Sequence, residues 1–162
     1  MIKFTAVISL IALMLIGCAS HSVVRNEFNL KSPPKTIVTD SSYSKMIIFN
    51  SSSSFLYGPD GSGVIGIKID SKAFTRLTID EYLQFYVPKG KYTFELEHID
   101  VLSFKSSHII DAFEDSTLVE INATTTSNEA QIVPSLPSEF LKDYTPHFLT
   151  EKPVLLEIQA QK

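Results

Sequence analysis

Hydrophobic and polar positions alternate with period two along most of the chain after residue 43, and period two is the mark of a half-buried β-strand. Ile65, Ile67 and Ile69 fall on one face of Val64–Asp70, with Gly66, Lys68 and Asp70 on the other. Leu83, Phe85 and Val87 oppose Tyr82, Gln84 and Tyr86, and Tyr92, Phe94 and Leu96 oppose Thr93, Glu95 and Glu97. Lys45–Phe49 is instead an unbroken run, Lys-Met-Ile-Ile-Phe, which predicts a central strand buried on both faces. Further strands are expected at Ala73–Leu77, Val101–Ile110 with a break near Ser106-Ser107, Thr117–Ala123, Ala130–Val133 and Val154–Ile158. One short helix is expected over Pro137–Tyr144, N-capped by Ser138. Asp70-Ser71-Lys72 reads as a tight turn. Pro88-Lys89-Gly90 reads as the turn of a hairpin, with Gly90 in the left-handed region. Short strands at near-regular spacing with Gly and Pro turns predict an all-β protein, an antiparallel sandwich of transthyretin-like or immunoglobulin-like kind.

The amino terminus follows another pattern. Met1-Ile2-Lys3 is positive, and Phe4–Ile16 is uncharged. This run is too short to span a bilayer, which needs about 20 apolar residues, and it fits the apolar region of a secretory signal. It ends in Leu15-Ile16-Gly17-Cys18, which resembles the lipobox of bacterial lipoproteins. The resemblance implies cleavage before Cys18 and acylation there, so residues 1–17 are a signal peptide and Cys18 is the lipidation site. Several acyl chains make such an anchor nearly permanent. Ala19 is not the Asp that resembles an inner-membrane retention signal in enteric bacteria. The expected location is the outer membrane facing the periplasm, ahead of the inner membrane or the cell surface. Residues 18–42, with Pro33-Pro34, are expected to be a tether carrying at most a short strand at Thr36–Thr39. Residues 43–162 are the domain.

Met46–Phe49, Ile67–Lys72 and Phe85–Phe94, the last carrying Pro88-Lys89-Gly90, resemble a family of small bacterial lipoprotein domains of unknown function. The expected hairpin is similar to that of PEGA-type surface-layer modules. The resemblance runs from Met46 to Val133 and implies a transthyretin-like sandwich without catalytic residues. Ser71 stands where a Gly is usual, and the Arg that often follows the first strand is missing.

Composition narrows the function. The 162 residues are 44% hydrophobic and 20% charged, with net charge −4, which removal of Lys3 with the signal makes −5. A mildly acidic chain offers no broad nucleic-acid footprint. One Cys provides neither a disulfide framework nor a thiolate zinc cluster. His21, His98, His108 and His147 lack metal-ligand spacing, and His98 and His108, each near an Asp, are read as surface hydrogen-bonding groups. Gly58–Gly63 superficially resembles a phosphate-cradling loop but lacks the Lys-Ser/Thr ending. No Gly-x-Ser-x-Gly elbow occurs. Asp80-Glu81 and Glu114-Asp115 are read as solvated charge, and calcium binding through Asp60, Asp70 or the Glu114-Asp115 pair is poorly supported by so few neighbouring carboxylates.

No enzyme, cofactor or metal is therefore expected. The expected function is that of a non-catalytic envelope lipoprotein binding a protein or glycan partner, anchored to the membrane through Cys18. The alternative is a structural subunit of an envelope or secretion assembly, docking through an edge strand; an envelope hydrolase ranks third. The candidate binding residues are Tyr57, Asp60, Tyr82, Tyr86 and Lys89, around the loop Tyr57–Gly63 and the turn Pro88–Gly90. The tyrosines would stack on sugars or anchor a partner, unless the second face of the sheet is itself covered.

Overall fold

The computed structural model describes residues 29–31, 41–53, 63–99, 102–147 and 154–157. In chain order the strands are β1 (Asn29–Lys31), β2 (Tyr43–Asn50), β3 (Ile65–Ile69), β4 (Lys72–Leu77), β5 (Glu81–Pro88), β6 (Gly90–Ile99), β7 (Ser103–Ala112), β8 (Ser116–Ala123), β9 (Asn128–Ile132), β10 (Thr145–Pro146) and β11 (Val154–Glu157). The helix α1 is one turn, Phe140–Asp143. Two sheets face each other. One has seven strands in the order β1-β11-β5-β2-β8-β9, with β10 also on β5, and the other has four in the order β4-β3-β6-β7. The protein is an all-β sandwich. Its larger sheet mixes directions: β2 pairs β5 antiparallel but β8 parallel, and both β10 and β11 run parallel to β5. Asn29–Lys31, inside the expected tether, pairs antiparallel with β11. Thr36–Thr39, Cys18 and the expected signal segment, residues 1–17, lie outside the described residues.

The alternating positions fill the space between the sheets. Met46, Ile48, Leu83, Phe85, Val87, Val119 and Ile121 from one side meet Ile65, Ile67, Ile69, Phe74, Phe94, Leu96 and Ile110 from the other. Burying a side chain of this kind contributes about 1.5–3 kcal/mol. The run in β2 is buried on both faces as expected, since Ile47 and Phe49 pack in a second cluster on the outer face. Strand β7 is continuous across Ser106-Ser107. Those serines keep the ladder intact because a strand needs only its backbone groups to pair.

Two turns separate what the pattern expresses from what it conceals. Asp70 and Ser71 form the expected two-residue turn, with φ of 49° and 65°. Both values are positive, as the turn matched to strand twist requires. Asp70 is held there because its amide donates to the Thr93 carbonyl (2.8 Å) and its Oδ1 accepts from the Thr93 amide (2.9 Å). Pro88-Lys89-Gly90, by contrast, is not a hairpin. β5 and β6 lie in different sheets, so the segment is an arch across the core. Inward alternation is the same in both geometries, which is why the pattern cannot separate them. Gly90 does not have positive φ. The arch is held instead by the Lys89 amide donating to the Ser42 carbonyl (2.8 Å) and by the Tyr92 hydroxyl donating to the Pro88 carbonyl. Burial first, then the charge of Asp70, pushes the Tyr92 hydroxyl up to about 12, so it stays a donor.

The helix is shorter than expected. Glu139, not Ser138, occupies its N-cap, without a side-chain cap bond. At the base of the loop after β2, buried Asn50 donates to the Gly63 and Leu77 carbonyls (both 3.0 Å), while its Oδ1 accepts from the Ser52 amide and hydroxyl.

Candidate functional site

The chain from Val133 to His147 folds back over the outer face of the seven-stranded sheet. Its anchor is Phe140, only 5% exposed. Phe140 stacks on Tyr144 (4.8 Å), tilts against Tyr82 (4.9 Å) and meets Phe49 edge-on (5.5 Å). Edge and offset contacts of this kind add about 0.5–1.5 kcal/mol each beyond burial. The return is pinned at its end by β10. There the Thr145 amide donates to the Asp80 carbonyl (2.7 Å) and the His147 amide to the Tyr82 carbonyl (2.8 Å). His147 Nδ1 also lies 3.0 Å from Glu81 Oε2. Glu81 is thus not merely solvated charge. Burial alone would raise its pKa, but hydrogen bonds from Thr78 and His147 outweigh that and hold it below the ordinary carboxylate value.

Between this strap and the sheet runs a groove of about 640 Å³. Ile47, Tyr82, Leu136, Pro137 and Phe140 give it apolar walls, and Lys45, Gln84, Glu139 and Lys142 give it polar ones. Leu141 stands beside it, 85% exposed. Lys142 is ion-paired with Glu139 one turn back. Burial, with Asp80, Glu120 and Asp143 nearby, raises the pKa of the Tyr144 hydroxyl, so the aromatic cluster is neutral. An apolar recess with a few charges around it suits an inserted apolar side chain or a stacked ring.

Of the residues singled out from the sequence, Tyr82 lines the groove. Tyr86, half-buried, sits across from Lys45 in the β2–β5 register, on the same face. Part of the second face is therefore covered, at Tyr82. Lys89 stands apart on the arch, 2.6 Å from Asp115 in an ion pair, which accounts for Asp115 lying below the ordinary carboxylate value. Tyr57 and Asp60 lie outside the described residues. Lys45, Gln84, Leu136, Phe140 and Leu141 were not singled out. The one available signal was the adjacent pair Phe140-Leu141, because neighbouring positions on a single helical turn cannot both face the same surface.

A second concavity of about 410 Å³ lies over Gly66 on the outer face of the four-stranded sheet, walled by Lys68, Glu95, Glu97 and Lys105. Its charges largely satisfy one another. Glu97 accepts from Ser103 (2.7 Å) and pairs with Lys105 (3.4 Å), which together hold its pKa down despite partial burial.

His98 is not the surface group that its place beside Asp100 suggested. His98 is 3% exposed and stacks on Phe104 at 5.0 Å. Asn128, projecting from β9, donates through Nδ2 to the Leu96 and Phe104 carbonyls (3.3 and 3.1 Å), so its Oδ1 is left to accept from His98 Nδ1 at 2.6 Å. His108 bonds Ser106 and the Asn128 carbonyl rather than Asp111. This cluster, with His98 and Asn128 buried, clasps β9 to the four-stranded sheet. Among the described residues no group of three or more His, Cys, Asp or Glu side chains could hold a metal ion, and no helix is long and apolar enough to cross a membrane.

Compared with family models, curated proteins and solved structures, the chain matches none.

Proposed function

We propose that the chain is a non-catalytic envelope lipoprotein, anchored through Cys18 to the outer membrane facing the periplasm, whose strap groove receives a partner. The anchoring half of this reading rests on Leu15-Ile16-Gly17-Cys18 following an uncharged run. The binding half rests on one observation: an aromatic-walled recess beside a leucine that the fold leaves 85% exposed. A recess lined by aromatic and aliphatic side chains, with a few polar groups beside it, is the usual form of a binding surface. It favours a protein segment over a glycan, because Leu141 offers an apolar anchor and no hydrogen bond for a sugar hydroxyl. A tethered domain meets membrane-bound partners at raised local concentration, so modest affinity is sufficient.

The test places a photo-crosslinking residue at position 141 in living cells, with one at Lys68 as control. A defined adduct formed from position 141 but not from 68 is the expected result. Equal adducts from both sites, or none from either, overturn the groove. For the anchor, Cys18→Ala should leave an unacylated, unprocessed precursor by mass spectrometry; normal processing refutes the lipobox.

A further inference from the structure

Among the described residues, strand β7 has a partner on one side only, β6. Which of its backbone groups face outward follows from the bonds further in. The Asp70 amide donates to the Thr93 carbonyl, and Asp70 Oδ1 accepts from the Thr93 amide, so the odd-numbered residues of β6 turn their backbone toward β3. In an antiparallel ladder alternate residues turn to opposite neighbours. The even-numbered residues of β6 therefore bond β7, in pairs such as Leu96 with Ser106. The N–H and C=O groups of Ser103, Lys105, Ser107, Ile109 and Asp111 then point away from the sheet.

The other edges are short or interrupted. β1 has three residues and β9 five, and β4 meets β3 with a register shift at Ile67/Lys68. β7 runs for ten residues in unbroken register with β6. Ile109 at its middle is 71% exposed, and Leu102 and Phe113 at its two ends are 64% and 55% exposed. Such an edge is a template for another strand unless a charge guards it. Lys105 is the charge in place, and Asp111 lies six positions along the same outward row.

We infer that β7 pairs antiparallel with β7 of a second copy about a twofold axis at His108. That register sets Lys105 opposite Asp111 of the second copy, twice, and Ser107 opposite Ile109. It also continues the charge order already present in each sheet. Lys105 pairs with Glu97 (3.4 Å) and Asp111 with Lys91 (3.5 Å), so the joined row reads Glu97, Lys105, then Asp111 and Lys91 of the second copy, alternating throughout. Opposite charges directly across strands stabilise a ladder, and like charges weaken it. The twofold makes the contact self-complementary and closed, so it stops at a dimer.

Sedimentation velocity of the purified full chain in detergent, with bound detergent subtracted, tests this. The wild-type chain sediments as a dimer. Lys105→Asp and Asp111→Lys each sediment as monomers, with association weakened about tenfold or more. An equimolar mixture of the two variants recovers the dimer, because each supplies the charge the other lacks. Ser107→Pro, which removes an outward N–H and no internal bond, is monomeric with an unchanged β circular-dichroism spectrum. A wild-type monomer at the highest soluble concentration overturns the inference. So does a dimer indifferent to all three substitutions, or a mixture that stays monomeric.

Discussion

The two sheets treat their outer faces in opposite ways. The seven-stranded sheet covers part of its outer face with the strap Val133–His147, burying Ile47, Phe49 and Phe140. Among the described residues nothing is laid over the outer face of the four-stranded sheet, which carries Lys68, Glu95, Glu97 and Lys105 around the hollow at Gly66. A third apolar layer makes one face a place where packing decides both stability and shape. On the other face charge and solvent decide, and single side chains carry little.

That contrast breaks most sharply at Phe140. Phe140→Ala should cost about 3 kcal/mol in a denaturant melt, because it opens a cavity in an aromatic cluster, whereas Lys68→Ala should stay within about 0.5 kcal/mol. Comparable losses at both positions would mean the strap is not part of the cooperative fold. A smaller effect is expected where the strap is pinned to β5. Glu81 is held below its ordinary carboxylate value of 4.5. Its contribution is therefore complete above that value and is lost as pH falls through the depressed folded value. Glu81→Gln should flatten the acid-side decline of the melting temperature and leave its slope near neutrality unchanged; an identical acid profile would count against the pin.

Two turn positions carry still smaller effects. Ser71 holds φ of 65°, a strained value for a residue with a Cβ, so Ser71→Gly should stabilise by about 0.5 kcal/mol by thermal melt. A loss would mean that the exposed bond from Ser71 to Glu95 (2.8 Å) matters more than the backbone. The smallest effect belongs to Gly90, where a methyl group would meet only the Tyr92 hydroxyl at 3.9 Å. Gly90→Ala should be neutral or stabilising by up to about 0.5 kcal/mol; a clear loss would restore a left-handed glycine there.

How much of this was legible depends on range. Inward isoleucines in β3, the double burial of β2 and the Asp70-Ser71 turn are local facts, carried by periodicity and turn preference. The crossing at Pro88–Gly90 was not legible, because Val87 and Tyr92 face the core equally well from one sheet or from two. The burial of His98 was also hidden, since it depends on Asn128 arriving from thirty positions away. For the groove the sequence yielded Tyr82 and little else. Its other wall is built by the return of the strap, and that return depends on Phe140 meeting Phe49 rather than on any motif.

The parallel seating of β2 against β8 has a temporal consequence. Ser44 and Thr117, whose hydroxyls meet at 3.0 Å, are 73 positions apart, so the most apolar strand of the domain waits for a neighbour made much later. A chain released amino-terminal end first must keep Met46–Phe49 from sticking elsewhere until residue 116 has emerged. Assembly dominated by such distant pairings is slow. This domain should need a holding chaperone during synthesis more than its modest size would imply.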